Sequence, residues 1–479
     1  HVRSRRQRQM CIRDRVRLVI SHLCRPVLDA DIVKGLIMSD SALLPHILDL
    51  ASVPRHSLPQ DARKMAQLSL FDWMVVSLAG ADQPLAHIIR DFVMAEGGVS
   101  RAAVTGAAVR LPARAAALAN GTISHALDYD DTHFAYIGHP SVAVFPAALA
   151  AAEDMGASAD DVVDAFLIGA ESACRIGMVL GRDHYDAGFH QTATSGAFGA
   201  TIAASRLYQL DRAATRAALG LVSTRAAGLK SQFGTMGKPF NAGAAAANGI
   251  EAASLAKRGF TASTDAFAGA QSFLAAHHGA AGGSAAIDDW SFDQFFFAAV
   301  SHKLHACCHG THAMIEALLL LLADGAVAVD DLDEIKVYIA PRWQNVCDIK
   351  APETGLEIKF SYVFLAAMAL RGVNLAAYGS YDDGLCHDAD LIELAKRVKV
   401  IGDDQIADSA ARVDLKRKDG QSRSQSFDLL SPIDPVLLGT RLLAKAKALI
   451  GDDRANDLWA MTNALEQVSA SDLAAKLQG

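Results

Sequence analysis

Residues 57–80 read SLPQDARKMAQLSLFDWMVVSLAG. Ser57 offers a side-chain cap, Pro59 the fixed φ of a first turn, and Gly80 a stop. The pattern between them predicts one long helix. Comparable alanine-rich segments recur at 85–95, 111–128, 142–154, 159–180, 192–207, 211–228 and 241–258, each punctuated by glycine, proline or aspartate. No fixed period relates them, so the chain is not a solenoid.

The composition fits this reading. Of 479 residues, 51% are hydrophobic but only 6% aromatic, so alanine and leucine must carry most of the packing. Alanine has the smallest helix penalty and lets helix backbones approach closely. A chain this long is expected to form two domains.

Near residue 300 the texture changes. DEIKVYIAP, from Asp333, alternates as a half-buried strand does. ARVDLKRKDGQSRSQSFDL, from Ala411, predicts two strands joined at Asp419–Gly420. Helices are expected at 311–324 and around 360–372, and after SPIDPV the helical pattern resumes. The sequence therefore predicts a mainly α protein: a large all-helical domain (41–300 plus 437–479) and an inserted, smaller α+β lid domain (301–436). Clefts between domains favour small ligands.

Several function classes are excluded. A net charge of −8 argues against a nucleic-acid binder, which needs a basic face. It also requires that an anionic substrate be met by a local cationic pocket. No apolar run approaches the roughly 18 to 20 residues of a membrane span. Seven scattered cysteines without a CxxC read as free thiols in a reducing, cytoplasmic setting. The arginine-rich residues 1–37 lack signal-peptide features and differ from the rest. They read as an extension outside the folded domain, with Met38 the start, ahead of the alternative of a basic binding arm. There is no G-x-G-x-x-G after an expected strand and no G-x-S-x-G elbow.

Titratable groups gather in HALDYDDTHFAYIGHPS, residues 125–141, which holds three aspartates and three histidines. A helix over 115–130 would put Asp128 and Thr132 on one face, with Gly138-His139-Pro140 breaking it. Asp130 and Asp131 read as an exposed, solvated helix end. Asp128 and His139 read as buried, an acid holding the tautomer of a base. His190, in GFHQTATSGAFGA, precedes small residues at 196, 199 and 200 that invite close helix contact. On its own it reads as a core histidine unless a second histidine-bearing segment lies beside it. Lys238, in GTMGKPFNAG, fails the P-loop pattern because Gln232 and Pro239 occupy the required positions. It either is solvated or presents a positive charge to a carboxylate in a cleft. SHKLHACCHGTH, from Ser301, invites a metal reading, yet its spacing matches no usual finger.

The segments LDYDDTHFAYIGHPS, GFHQTATSGAFGA, GKPFNAGAAAANGIEAASLAKRGF and KLHACCHGTH occur in an order and spacing that resembles the MmgE/PrpD family. That family includes 2-methylcitrate dehydratase, cis-aconitate decarboxylase and iminodisuccinate epimerase. The resemblance runs from about residue 41 to the C-terminal helices. It implies a helical domain with an α+β lid, a homodimer, and no metal or organic cofactor. It also implies a site of Asp128, Thr132 and His139 faced by His190 and Lys238, with Lys303 and Cys308 contributing from the lid. At Cys308 some decarboxylase-type members carry histidine. In KFSYVFLAAMALRG the family often has a site tyrosine; here Phe364 or Tyr362 is the equivalent, and neither is assigned to the site.

Together these readings imply a cofactor-independent lyase or isomerase moving a proton at a carbon next to a carboxylate of a small di- or tricarboxylate. His139 and His190 are the acid/base candidates, and Asp128 orients a histidine. Thr132, Lys238, Lys303 and Cys308 hold substrate, with no metal bound. The alternatives are a metal-dependent hydrolase on the histidine and cysteine cluster at 305–312, or a non-catalytic helical scaffold.

Overall fold

The computed structural model describes residues 43–277, 287, 290–323, 325 and 328–478; the expectation for residues 1–37 falls outside them. The chain is mainly α with a small sheet. The helix expected from the opening stretch is α1, Gln60–Gly80. Its cap differs from expectation: Ser57 ends a short 3-10 turn and Pro59 takes the N-cap position without a side-chain bond. Gly80 is needed for contact, because a Cβ there would lie 2.5 Å from the Ile123 carbonyl oxygen.

The helical part is built around α2 (Ala113–Ser124), α3 (Pro140–Met155), α4 (Ala159–Asp186), α5 (Gln191–Leu207) and α6 (Gly237–Lys257). α3 is buried from Pro140 through Glu153 and packs on α2, α4, α5 and α6. Small residues permit this density. A Cβ on Gly243 of α6 would sit 2.2 Å from Thr122 Oγ1 and 2.3 Å from the Leu118 oxygen of α2. Gly199 of α5 meets the Gly169 carbonyl of α4 in the same way, at 2.6 Å. Glycine at these points lets two helix backbones touch.

Several boundaries depart from expectation: α4 runs six residues past 180 to Asp186, and α6 begins at Gly237 rather than 241. The helix expected over 111–128 ends at Ser124, where His125 leaves helical geometry at φ −96° and ψ 4°, and Asp128 beyond it adopts a left-handed φ of 50°. The helix expected over 211–228 covers Arg212–Val222 only. Three strands were not foreseen: β1 (Ala102–Val104) and β2 (Ala107–Leu111), which form a short antiparallel hairpin, and a later one at Val398–Gly402.

The mixed segment carries a four-stranded sheet of β3 (Leu332–Ile339), β4 (Val398–Gly402), β5 (Ala410–Arg417) and β6 (Ser422–Asp428), in the order β4-β3-β5-β6. β3 pairs in parallel with β4 and antiparallel with β5; β5 and β6 are antiparallel. Asp419–Gly420 forms the expected turn, with Gly420 at φ 88°. Ile335, Val337 and Ile339 face inward with Ala411, Val413 and Leu415. Against that face pack α7 (His312–Leu322) and α8 (Tyr362–Leu370).

Two large apolar clusters result. One joins residues 43–300 to 438–477, because α9 (Pro435–Ile450) and the helices after it return to pack on α1. The other has its buried members within residues 307–415. No helix among the described residues is long and apolar enough to cross a membrane.

Candidate active site

The 125–141 stretch is a loop between α2 and α3, and its acids are placed otherwise than expected. Asp130 and Asp131 are fully buried instead of solvated. Asp130 accepts from two imidazoles at once: His125 Nδ1 at 2.7 Å and His139 Nδ1 at 2.8 Å. Each ring then carries its proton on Nδ1, which leaves Nε2 with a bare lone pair. Among the described residues His125 Nε2 has no hydrogen-bond partner. Asp130, not Asp128, is thus the acid that orients His139. Asp131 takes bonds from the backbone and hydroxyl of Ser141, and burial pushes its carboxyl up to about 7.

Asp128 has a different task. Its left-handed backbone turns the carboxylate toward two ammonium groups, Lys238 Nζ at 2.7 Å and Lys303 Nζ at 3.0 Å. Lys303 also donates to the Asp128 carbonyl at 2.5 Å. His139 Nε2 stands 3.7 Å from the same carboxylate. Burial opposes ionisation of Asp128, yet the two lysines hold its carboxyl well below the usual range.

The expected residues come from three separate helix starts. His139 is the N-cap of α3 and His190 the N-cap of α5, while Lys238 lies in the first turn of α6. Helix N-termini carry partial positive charge and unpaired N–H groups, so they favour an anion. His190 lies beside the Asp130 pair, its ring 6.4 Å from that of His125. Asn241 Nδ2 donates to its Nδ1 at 3.2 Å, so the ring carries its proton on Nε2. Burial lowers His139 to about 4, opposed by Asp130, and His190 well below its usual value, aided by Lys238.

Thr132 does not share a helical face with Asp128. It forms an antiparallel bridge with Ser301, and its hydroxyl lies 2.6 Å from His309 Nδ1. Cys308 sits where the mixed segment meets this loop, its backbone N–H bonded to the Lys359 carbonyl at 3.0 Å. A bond from the Cys347 thiol lowers the Cys308 thiol, and Lys303 adds to this. Tyr362 spends its hydroxyl on the Gly310 carbonyl at 2.7 Å, and Phe364 is buried in the apolar core.

The 305–312 cluster does not converge on a metal. His305 faces Glu316, His309 faces Thr132, and His312 faces the Cys307 carbonyl. Among the described residues only His125, Asp128, Asp130 and His139 bring ligand atoms within 4.8 Å of one another. That group suits a cation poorly. Both Nδ1 atoms already donate to Asp130, and two ammonium groups occupy Asp128. The arrangement of two lysines, bare imidazole nitrogens and helix N-termini suits a bound polyanion. A separate cavity of about 770 Å³, lined by Trp290, Phe295, Phe296 and Ile433 among others, includes none of these lysines or catalytic candidates.

His125, Asp130 and Asn241 escaped the sequence reading. His125 and Asp130 were signalled only by the density of titratable groups; Asn241 carried no signal.

The MmgE/PrpD N-terminal domain model matches residues 50–284, and the MmgE/PrpD C-terminal domain model matches residues 305–429. The chain is 25% identical over 424 residues to a cis-aconitate decarboxylase of Aspergillus terreus, covering 82% of this chain and 86% of that protein. It is 26% identical over 379 residues to the mouse (Mus musculus) cis-aconitate decarboxylase, covering 75% and 77%. To the human (Homo sapiens) cis-aconitate decarboxylase it is 31% identical over 275 residues, covering 55% and 56%.

Proposed function

The chain belongs to the MmgE/PrpD family and is an enzyme of that type, and from that premise we propose that it is a lyase releasing carbon dioxide or water from a small tricarboxylate. The single observation that carries this reading is the convergence of Lys238, Lys303, His139 and His190 around Asp128 and Asp130. The decarboxylases it is similar to support the choice of substrate class.

Removing a proton or a carboxylate next to a second carboxylate leaves an electron pair that must spread onto the remaining carboxylate. Lys238 and Lys303, whose side chains are largely buried, neutralise that charge. His139, with a bare Nε2 and its Nδ1 proton held by Asp130, is the base. His190, with its proton on Nε2, is the acid that returns a proton to carbon. In decarboxylation the C–C bond breaks, carbon dioxide leaves, and His190 supplies the one proton the carbon needs. In dehydration His139 takes the proton from carbon and His190 gives its Nε2 proton to the departing hydroxyl, which leaves as water. Residues 301–436 act as the lid, bringing Lys303 and Cys308 to the helical domain. Their apolar core, separate from the helical one, supports independent movement.

The test is incubation of the protein in D2O with a panel of di- and tricarboxylates including cis-aconitate, followed by NMR. Deuterium at a carbon adjacent to a carboxylate, with loss of carbon dioxide or water, is the expected result. Inversion of a stereocentre with deuterium uptake would make it an isomerase instead. No turnover and no exchange with any carboxylate would end the reading.

A further inference from the structure

Lys359 lies on the lid side of the same cluster and has no role in the chemistry described above. It caps the short helix Gly355–Ile358, and its carbonyl accepts from the Cys308 N–H. Its Nζ stands 3.6 Å from the ring centre of Tyr378 and 5.2 Å from that of Tyr381. Both tyrosines pack against the buried cluster of Val76, Tyr129 and Ala306, which includes a residue of the site loop, and the Asp128 carboxylate and the Lys303 ammonium act on Lys359 electrostatically. The charged and titratable groups facing it are Asp128, Lys303, Cys307 and the two tyrosines.

The environment is unusual for a lysine. Lys238 and Lys303 share a carboxylate, whereas among the described residues Lys359 Nζ has neither a carboxylate nor a hydrogen-bond acceptor. Aromatic faces offset part of the cost of removing an ammonium from water, but a counter-ion would offset far more. A bound anion would supply the counter-ion that this half-buried ammonium lacks.

Resting on the proposed polycarboxylate site, we propose that Lys359 binds a third carboxylate of the substrate and so makes the enzyme select tricarboxylates over dicarboxylates. Lys238 and Lys303 share their charge with Asp128, which leaves them little to spare for a third substrate carboxylate. A third carboxylate needs a third cation, and Lys359 supplies it from the lid. Burial lowers its ammonium to about 8, so it is charged at neutral pH and loses its charge in mild alkali.

The test is calorimetric titration of the full chain with tricarballylate and with glutarate. The wild type should prefer the tricarboxylate. Lys359→Met should reduce that preference about tenfold or more, the factor expected for one charge-assisted hydrogen bond. Lys359→Arg should keep it. Raising pH from about 7 to about 9.5 should erode the preference in the wild type and spare it in the arginine variant, since guanidinium stays charged. If the methionine variant fails to fold, the arginine variant and the pH comparison still decide. Unchanged preference in folded Lys359→Met, or the same pH loss in Lys359→Arg, overturns this assignment alone. A wild type that binds neither compound overturns the polycarboxylate site as well.

Discussion

Asp130→Asn is the sharpest single change. An amide offers one acceptor and one donor where the carboxylate accepts from both His125 and His139. One imidazole must then move its proton to Nε2, and if that ring is His139 the base is lost. The expected outcome is a kcat lower by about a hundredfold or more, with an unchanged circular dichroism spectrum. Retained activity in a folded variant would remove Asp130 from the mechanism. The pH profile offers a second check. His139 must be unprotonated to act as a base, and burial lowers it to about 4. kcat/KM should hold steady as pH falls through the ordinary histidine range and drop only on approaching about 4. A limb near the unperturbed value of about 6.5 would point to another group.

At the scale of elements, the site depends on helix contacts and on one buried ion pair. Lys445 of α9 is buried, 2.6 Å from Asp72 of α1, and donates to the Tyr129 carbonyl at 2.8 Å. It ties the returning C-terminal helix to the residue before Asp130. Lys445→Met should cost about 3 to 5 kcal/mol in urea unfolding, because it strands the Asp72 carboxylate. The double variant Asp72→Leu/Lys445→Met should recover much of that loss; failure to recover would mean that the Tyr129 bond dominates. Gly243→Ala should cost about 1 to 3 kcal/mol by forcing α6 from α2. It should also lower kcat, since Lys238 sits in the first turn of α6. The helices that punctuation delimits were legible in the sequence: α5 and α3 begin within two residues of expectation. β4 was not, because its pairing with β3 joins residues more than fifty positions apart and leaves little local pattern.

For the whole molecule, a tricarboxylate held between Lys238 of α6 and Lys303 should stabilise the helical part and the mixed segment together. At a hundred times Kd the gain is about 2.7 kcal/mol, seen as a rise in the calorimetric midpoint. Lys238→Met and Lys303→Met should each abolish it, and persistence in both would place the ligand elsewhere. The sequence by itself determined the helical class, the change of texture near residue 300, the return of the C-terminal helices and the residue types of the site. These follow from local spacing and composition, which act over one or two turns of chain. Only the tertiary structure decided that Asp130 rather than Asp128 orients His139, and that Asp128 instead joins two lysines. A single left-handed turn at Asp128 reverses which neighbouring acid faces which partner, and no local propensity encodes the partners that wait at His139, Lys238 and Lys303.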